Sequence, residues 1–320
     1  MSGGAIIVRP TGLAITPADA LDEAAAGFAA ASKSDATRRA YAGDWRDFTG
    51  WCVDGGVDSL PASGRTVGRY LTHLAGLGRS VSTIDRRAAA IAAVHRAAGH
   101  TAPTALEEVR MILAGIRNTL GRRPAKKQAL TADLVAKVLK RIRGTDLASV
   151  RDRALILVCF GAALRRSELV ALDVADLERH RRGLLVRIAK SKTDQQGQGR
   201  TVAILDGKLK IPAAVAAWLD ASGITSGPVF RGADRGRLSA DRLTAGQFAR
   251  ILKARCAAAG LDPEAFSGHS PRRGFATTAG DDGADLRLTA KHMRHAKLET
   301  TLGYIEDGEL FRENAGKGFL

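Results

Sequence analysis

Residues 267–278 read SGHSPRRGFATT, and this segment gives the first clear indication of a binding site. The pattern predicts a helix over residues 271–280, so His269 and Arg272 lie three residues apart at its start. Backbone N–H groups at a helix N-terminus have no partner within the helix, and the helix dipole favours negative charge there. The segment therefore predicts a phosphate-binding site.

A second polar cluster follows a strongly apolar helix, predicted over residues 151–162. Residues 161–173 read GAALRRSELVALD, which places Arg165 and Glu168 three residues apart. Taken alone, this pair could be a surface ion pair, contributing a few tenths of a kcal/mol and no function. Because the apolar helix gives it a rigid support, Arg165 is also a candidate for holding an anion.

A third cluster, residues 292–305, reads HMRHAKLETTLGYI and places His295 nine residues before Tyr304. His292 and His295 have a spacing that also suits a metal ion. No cysteine or carboxylate stands at a zinc-like spacing beside them, so we predict no metal site. Cys52, Cys159 and Cys256 are far apart in apolar segments, which predicts buried free thiols rather than disulfides.

The charge of the chain favours a polyanionic partner. Lys and Arg number 49 against 33 Asp and Glu, a formal net charge of +16. Residues 1–128 carry 17 basic and 11 acidic side chains, and residues 129–320 carry 32 and 22. Two basic halves could grip a nucleic-acid duplex from both sides, although a generally basic proteome would give a similar excess.

The pattern of the first half is helical throughout. Tyr41, Trp45, Phe48 and Cys52 are spaced four, three and four residues apart, which puts them on one face of a helix. Further helices are predicted over residues 65–77 and 81–98, and a capping box, Thr104 with Glu107, predicts the start of the next. Residues 1–16 are interpreted as a flexible lead, and residues 17–120 as an all-helical domain.

Residues 121–128, GRRPAKKQ, break the helical pattern and predict a linker between two domains. They form either a solvated connection or a strap along a phosphate backbone.

The second domain, 129–320, is predicted to be mainly helical with a β-hairpin formed by residues 184–188 and 201–205. The fold class is thus mainly α with a small β-sheet in the second domain. Its helices are predicted over residues 131–142, 151–162, 211–221, 244–259, 271–280, 285–294 and 298–305.

Together, the order Arg, Lys, His-x-x-Arg, His-x8-Tyr resembles the active-site signature of the tyrosine recombinase (phage integrase) family. AALRRSEL resembles its first arginine box and GHSPRRGFAT its second, and TRRAYAGDWRDFTGWC resembles its helical, SAM-like core-binding domain. The resemblance covers about residues 30–306. It implies a site-specific recombinase that breaks and rejoins DNA through a covalent bond to tyrosine.

The resemblance also implies roles for individual residues. Arg165 and Arg272 would clamp the phosphate, Tyr304 would be the nucleophile and Lys192 the general acid, with Lys190 as the competing choice. His269 and His295 would complete the pocket, and His269 is our candidate for the proton acceptor. Glu168 would orient Arg165 or an adjacent catalytic side chain. The DNA contacts assigned to basic residues are Arg38, Arg39, Arg86, Arg87, Arg122, Arg123, Lys126 and Lys127.

Two residues depart from the family pattern: Arg294 precedes His295 where the family often has glycine, and Arg166 stands where an apolar residue is common. Neither removes a catalytic group. The alternatives are a catalytically silent DNA-binding protein of the same fold, a type IB topoisomerase-like enzyme, a telomere resolvase or a tyrosine transposase. No metal or nucleotide cofactor is expected.

The expected partner is double-stranded DNA with a specific recombination site, bound by a homotetramer whose tail, residues 309–320, packs into a neighbouring protomer. The longest apolar stretches, such as residues 154–164, are far short of the roughly 18–20 residues that a membrane span needs. We found no pattern of a secretion signal. We therefore expect a cytoplasmic, nucleoid-associated protein that does not contact a membrane.

Overall fold

The computed structural model describes residues 35–121, 127–189, 199–234, 236–295 and 297–303. The chain divides into two compact units, Met1–Ala125 and Lys126–Leu320. The predicted flexible lead, residues 1–16, and the predicted tail contact, residues 309–320, lie outside the described residues. None of the described helices is long and apolar enough to cross a membrane.

The first unit is built from helices alone within its described part. These are α1 (Asp35–Asp54), α2 (Gly64–Gly76), α3 (Val81–Ala97) and α4 (Glu107–Leu120). Ser63 and Ser80 cap α2 and α3, each accepting a hydrogen bond from the backbone N–H three residues on. The predicted apolar face of α1 is found: Phe48 and Cys52 are fully buried, and Trp45 packs against the same core.

The start of α4 differs from the sequence prediction. Thr104 lies in a 3₁₀ turn, Pro103–Ala105, and the helix begins only at Glu107, with Leu106 as its N-cap and no side-chain cap. Pro103 at the first position of the turn fixes a tight conformation that ends before α4 begins. The predicted capping box between Thr104 and Glu107 was therefore wrong.

The second unit is mainly helical with two small antiparallel sheets. Its strands are β1 (Leu177–His180), β2 (Gly183–Ile188), β3 (Arg200–Leu205), β4 (Arg231–Asp234) and β5 (Arg237–Arg242). Its helices are α5 (Ala132–Arg141), α6 (Leu147–Gly161), α7 (Arg166–Ala171), α8 (Ile211–Ser222), α9 (Ala245–Ala258), α10 (Ser270–Asp281), α11 (Leu286–Met293) and α12 (Leu298–Leu302). The predicted fold class is confirmed.

The predicted hairpin is present as β2 and β3, paired with Gly183 opposite Leu205 and Ile188 opposite Arg200. Strand β1 adds to its free edge, and β4 with β5 forms a separate hairpin. The sequence did not predict these three strands, because their side chains are mostly exposed or half-buried and show no apolar alternation.

Helix α6 is the centre of the second unit. Every side chain from Ala154 to Phe160 is buried, which explains why this helix is apolar on all sides. Helices α8 and α10 pack against it, and the chain turns sharply at its C-terminus, residues 161–165. This turn carries Arg165, so a rigid core element positions the first candidate residue.

Candidate active site

The base of the site is the turn that follows α6. Ala162, Ala163 and Leu164 are fully buried, and Ala163 has a φ of 45°, in the left-handed region that favours glycine. This conformation directs the carbonyl oxygens of residues 161–163 away from α6, toward α10 and α11. Those carbonyls are the acceptors around which the site is arranged.

Arg165 and Glu168 form a joint cap at the start of α7. One oxygen of the Glu168 carboxylate, Oε2, accepts from the Arg165 backbone N–H at 2.9 Å, and the other, Oε1, accepts from the Arg165 guanidinium at 2.6 Å. The Glu168 side chain is 2% exposed and that of Arg165 is 16% exposed. The pair is therefore buried against the turn, in contrast to a solvated surface ion pair.

Arg272 approaches the same turn from the first turn of α10. It is 1% exposed, and its guanidinium donates to the carbonyl oxygens of Ala163 and Met293. Two fixed acceptors on different elements hold the plane of the guanidinium, which a lysine could not satisfy in the same way. The acceptor carbonyl of Ala163 lies two residues before Arg165, so the turn links the two arginines.

His269 is the N-cap residue of α10, and its side chain is exposed. Partial desolvation and the positive charges of Arg166, Arg272 and Arg165 lower the pKa of His269. Its ring makes no hydrogen bond to any residue that the structure describes. A neutral, accessible imidazole beside three arginines can accept a proton.

His295 lies just after α11. Its Nδ1 lies 2.8 Å from Oγ1 of Thr301, which is fully buried on α12. Desolvation, together with Arg272, Arg165 and Arg294, lowers the pKa of His295 to about 4. The ring is therefore neutral at pH 7 and is oriented by a fixed hydroxyl.

His292, the other half of the histidine pair, has a different environment. Its ring stacks on Phe275 with centroids 4.3 Å apart, and its Nε2 lies 2.9 Å from the carbonyl oxygen of Gly161. These contacts tie α11 to α10 and to the end of α6. Within the described ranges, no group of three or more His, Cys, Asp or Glu side chains could hold a metal ion.

The structure brings together five predicted residues: Arg165, Glu168, His269, Arg272 and His295. The predicted nucleophile Tyr304 and the candidate acids Lys192 and Lys190 lie outside the described residues. Their roles remain predictions from the sequence.

The predicted DNA contacts have varied environments. Arg39 is exposed on α1, and Arg38 is exposed beside it. Arg86 binds the buried Asp44 carboxylate through two N–H groups at 2.8 and 2.9 Å, and Arg87 is 13% exposed and paired with Asp47. These ion pairs join α3 to α1. Arg87, which is largely buried, therefore helps to hold the two helices together.

The remaining predicted DNA contacts lie around the linker. Lys127 donates to the Glu264 carbonyl oxygen at 2.6 Å, which ties its side chain to the second unit. Arg122, Arg123 and Lys126 are outside the described residues.

Arg294 is the residue that sequence reasoning missed. It is 3% exposed, and its guanidinium binds the second oxygen of Glu168 at 2.9 Å. In the sequence, Arg294 stood out only because it differs from the family pattern, which often has glycine at this position. Arg165 and Arg294 thus share one carboxylate, and Arg272 adds a third guanidinium beside the same turn, which leaves an excess of positive charge. Such an arrangement stabilises an oxyanion without a proton transfer to it.

These features are those of a site that binds an anion. Residues 128–309 match the family described as the Phage integrase family. The chain belongs to this family and is a tyrosine recombinase/integrase, which confirms the resemblance read from the sequence.

The similarity extends over most of the chain. It is 36% identical over 291 residues to an integrase/recombinase xerD homolog of Selenomonas ruminantium, covering 89% of this chain and 85% of that protein. It is 30% identical over 291 residues to the tyrosine recombinase XerC of Mycobacterium sp. (strain KMS), covering 85% and 88%.

Two solved structures show the same fold. A lambda integrase dimer bound to a COC′ core site matches with a TM-score of 0.60 and 14% identity, covering 92% of this chain and 78% of that one. The XerH site-specific recombinase, in a post-cleavage complex with a palindromic difH substrate, matches with a TM-score of 0.55 and 17% identity, covering 79% and 69%.

Proposed function

We propose that this protein is a site-specific recombinase that cleaves and rejoins duplex DNA through a 3′-phosphotyrosyl bond to Tyr304. The observation that carries the proposal is the joint placement of Arg165 and Arg272 around the Ala163 turn, with two neutral histidines beside them. This set is suited to a tetrahedral phosphodiester, and it matches the order of residues in the family signature.

Phosphoryl transfer needs positioned donors more than covalent help from the protein. Arg165 and Arg272 would donate to the non-bridging oxygens of the scissile phosphate and stabilise the charge that spreads over them. Bidentate guanidiniums are well matched to this task without a metal ion. We propose no metal or nucleotide cofactor for the reaction.

The Tyr304 oxygen would attack the phosphorus while the bond to the 5′ oxygen breaks. A phenol has a reference pKa near 10, so its proton needs an acceptor, and the neutral ring of His269 is suited to this role. The departing 5′ oxygen takes up a proton, for which we propose Lys192, with Lys190 as the competing residue. The choice between the lysines rests on the sequence alone.

The products of this step are a 3′-phosphotyrosyl bond and a free 5′-hydroxyl, so the number of phosphoester bonds is unchanged. A 5′-hydroxyl from a partner strand can reverse the step and join the strands in a new order. We therefore propose recombination between two sites by a homotetramer on DNA, in the nucleoid of the cytoplasm. Two structural neighbours, XerH and lambda integrase, are bound to a difH substrate and to a COC′ core site, which supports DNA as the partner.

The test uses duplexes that carry candidate sites from the genetic neighbourhood of this chain, nicked near the scissile position so that the cleaved strand is lost. The wild-type protein and Tyr304→Phe are incubated with each duplex, with and without EDTA, and separated on a denaturing gel. We expect a protein–DNA adduct that requires Tyr304 and is insensitive to EDTA. Specific binding to a site without an adduct would instead support a silent DNA-binding protein.

A second assay separates recombination from topoisomerase activity. Two labelled duplexes that carry the same site are mixed, and joined products are followed by their length. Strand exchange between the duplexes supports a recombinase, whereas relaxation of supercoiled DNA with no joint product would support the topoisomerase-like alternative.

A further inference from the structure

Arg294 has an unusual backbone for a large side chain. It ends α11 with φ 59° and ψ 42°, the left-handed conformation in which glycine is favoured. A side chain other than glycine is strained there. Interactions of the side chain must offset that strain.

The guanidinium makes four hydrogen bonds to three elements. It donates to the carbonyl oxygens of Ala162 at 3.1 Å, Ala163 at 3.1 Å and His292 at 3.0 Å, and to Oε2 of Glu168 at 2.9 Å. Arg294 therefore binds the same Ala163 carbonyl as Arg272. It connects the end of α6, the start of α7 and the end of α11.

Glu168 is shared between two arginines. Its Oε2 accepts from the Arg294 guanidinium and from the Arg165 backbone, and its Oε1 accepts from the Arg165 guanidinium. The Arg165 guanidinium thus makes one hydrogen bond to the carboxylate through a single nitrogen, and makes no other to the part of the chain that the structure describes. Its remaining N–H groups are available to a ligand.

We propose that Arg294 is a positioning residue for DNA cleavage. By donating to Oε2 of Glu168 it keeps the carboxylate from binding the Arg165 guanidinium through both oxygens. By binding the Ala163 carbonyl it fixes the acceptor that orients Arg272. It prepares both phosphate-binding arginines without touching the phosphate. This inference rests on the proposed cleavage activity.

The charges around Glu168 determine what the loss of Arg294 would do to Arg165. Among the described residues, the buried thiol of Cys159 and the imidazole of His269 also lie within electrostatic range of the carboxylate. Without Arg294, the buried carboxylate would keep one guanidinium partner in the described part of the chain, Arg165. Glu168 would then compete with the DNA phosphate for the Arg165 donors.

The experiment compares Arg294→Met, Glu168→Gln and the double variant under single turnover, with the nicked duplex described above. Arg294→Met should slow adduct formation about 10- to 100-fold, a range typical of a misplaced catalytic group. DNA affinity and its salt dependence should stay close to wild type, because the two terminal nitrogens of the Arg294 guanidinium already donate to four protein acceptors.

The double variant carries the decisive result. Glu168→Gln removes the carboxylate charge that Arg294→Met leaves uncompensated, so the double variant should form adduct faster than Arg294→Met alone. A residue that only stabilises the fold would give a double variant as slow as the slower single variant, or slower. Arg294→Lys should be intermediate, since it keeps the charge but not the fork of donors.

Arg151 provides a matched control. It is also buried, and its partner Asp152 is likewise shared with a second arginine, Arg255, away from the candidate site. Arg151→Met should lower the melting temperature without changing the adduct rate of the folded protein. If Arg294→Met does not fold, Arg294→Gly, which suits the positive φ, replaces it in each comparison.

The outcomes are distinguishable. An Arg294→Met or Arg294→Gly variant that forms adduct at the wild-type rate, or a double variant with no gain over the single variant, would overturn this inference. Absence of an adduct from the wild-type protein, on a site that it binds specifically, would instead overturn the proposed function.

Discussion

At the scale of single residues, Arg272 is held by main-chain carbonyl oxygens on two sides. Replacing it with lysine keeps the charge but cannot reach the Ala163 and Met293 carbonyls together. We expect Arg272→Lys to slow adduct formation roughly 10²- to 10³-fold, the loss typical of one oxyanion donor, with DNA affinity changed little. Single-turnover assays on the nicked duplex and a filter-binding titration measure the two effects.

The neighbouring Arg273→Lys is the control for that substitution. Arg273 is also largely buried on α10, where its guanidinium donates to the Lys127 carbonyl oxygen outside the candidate site. Its adduct rate should remain near wild type. Equal losses in the two variants would show that α10, rather than the Arg272 guanidinium, is sensitive to substitution.

Three histidines of the second unit, those with lowered pKa values, predict how stability depends on pH. The pKa values of His269, His292 and His295 are all lowered by burial, that of His295 to about 4. Between about pH 6.5, the unperturbed value, and pH 4.5 the unfolded chain therefore binds protons that the folded chain does not. Stability should be highest above pH 6.5 and should fall as the pH decreases through this window.

His295→Gln tests this linkage. Thermal melts between pH 7.5 and 4.5 should show a smaller decrease in melting temperature for the variant than for the wild type, because one proton-binding site is removed. An unchanged pH dependence would mean that His295 is protonated in the folded protein too.

Site residues could be predicted from the sequence where they form a pattern of short spacing. They could not be predicted where only a contact in the folded protein brings them into the site. His269 and Arg272 stand three residues apart, and Arg165 and Glu168 likewise, so their patterns were visible along the chain. Arg294 contacts Glu168 across 126 positions. The residues next to Arg294 in the sequence do not indicate a contact over that distance along the chain. The backbone preferences of arginine do not predict a positive φ either.

At the scale of secondary-structure elements, α10 is positioned by a close approach to the segment before α5. A Cβ added at Gly274 would lie 1.7 Å from the carbonyl oxygen of Leu130, an atom of the main chain that cannot move aside. The backbone N–H of Leu130 donates to the carbonyl oxygen of Ser270 at 2.9 Å, and this hydrogen bond holds the two segments together. Glycine is therefore required at position 274 for packing, since its φ is not positive.

Gly274→Ala should destabilise the second unit by about 2 kcal/mol or more, in the range of overpacked cores. Gly246→Ala is the control, because the nearest atom to its added Cβ is Oγ1 of Thr244 at 3.9 Å. That substitution should be neutral or stabilising by up to about 1 kcal/mol. Urea unfolding of both variants measures the difference, and similar values for the two would contradict the packing argument.

The elements with strong periodicity were predicted well. Helices α2, α3, α8 and α9 begin and end within a few residues of their predicted bounds, and β2 with β3 follows from apolar alternation. Strands β1, β4 and β5 lack that alternation because neither face of these strands is buried in the core. The prediction of α4 from Thr104 was wrong because Pro103 forms its own turn.

At the scale of the whole molecule, the net charge of +16 predicts that DNA binding weakens steeply with salt. Among the arginines of the first unit assigned to DNA, Arg39 is exposed, whereas Arg87 is largely buried by its ion pair. Arg39→Ala should weaken binding and reduce the slope of log affinity against log salt by about 1.

Arg87→Met should act differently. It leaves Asp47 without its guanidinium partner and should lower the melting temperature of the helical unit, with the salt slope nearly unchanged. Titrations at several salt concentrations, beside thermal melts, separate the two effects. A smaller slope for Arg87→Met than for Arg39→Ala would mean that the ion pair opens when DNA binds.

The carbonyl oxygen of Ala163 accepts from both Arg272 and Arg294, and the other acceptors of these guanidiniums are mainly backbone atoms as well. Every amino acid carries a backbone carbonyl, so most substitutions in the turn cannot delete the acceptors themselves. Loss or gain of one residue there would shift all of them at once. The candidate site should thus keep its acceptors when Ala162 and Ala163, which are fully buried, are exchanged for glycine, and should lose them when the number of residues in the turn changes. Glycine substitutions at these two positions, compared with single-residue deletions, would reveal the difference.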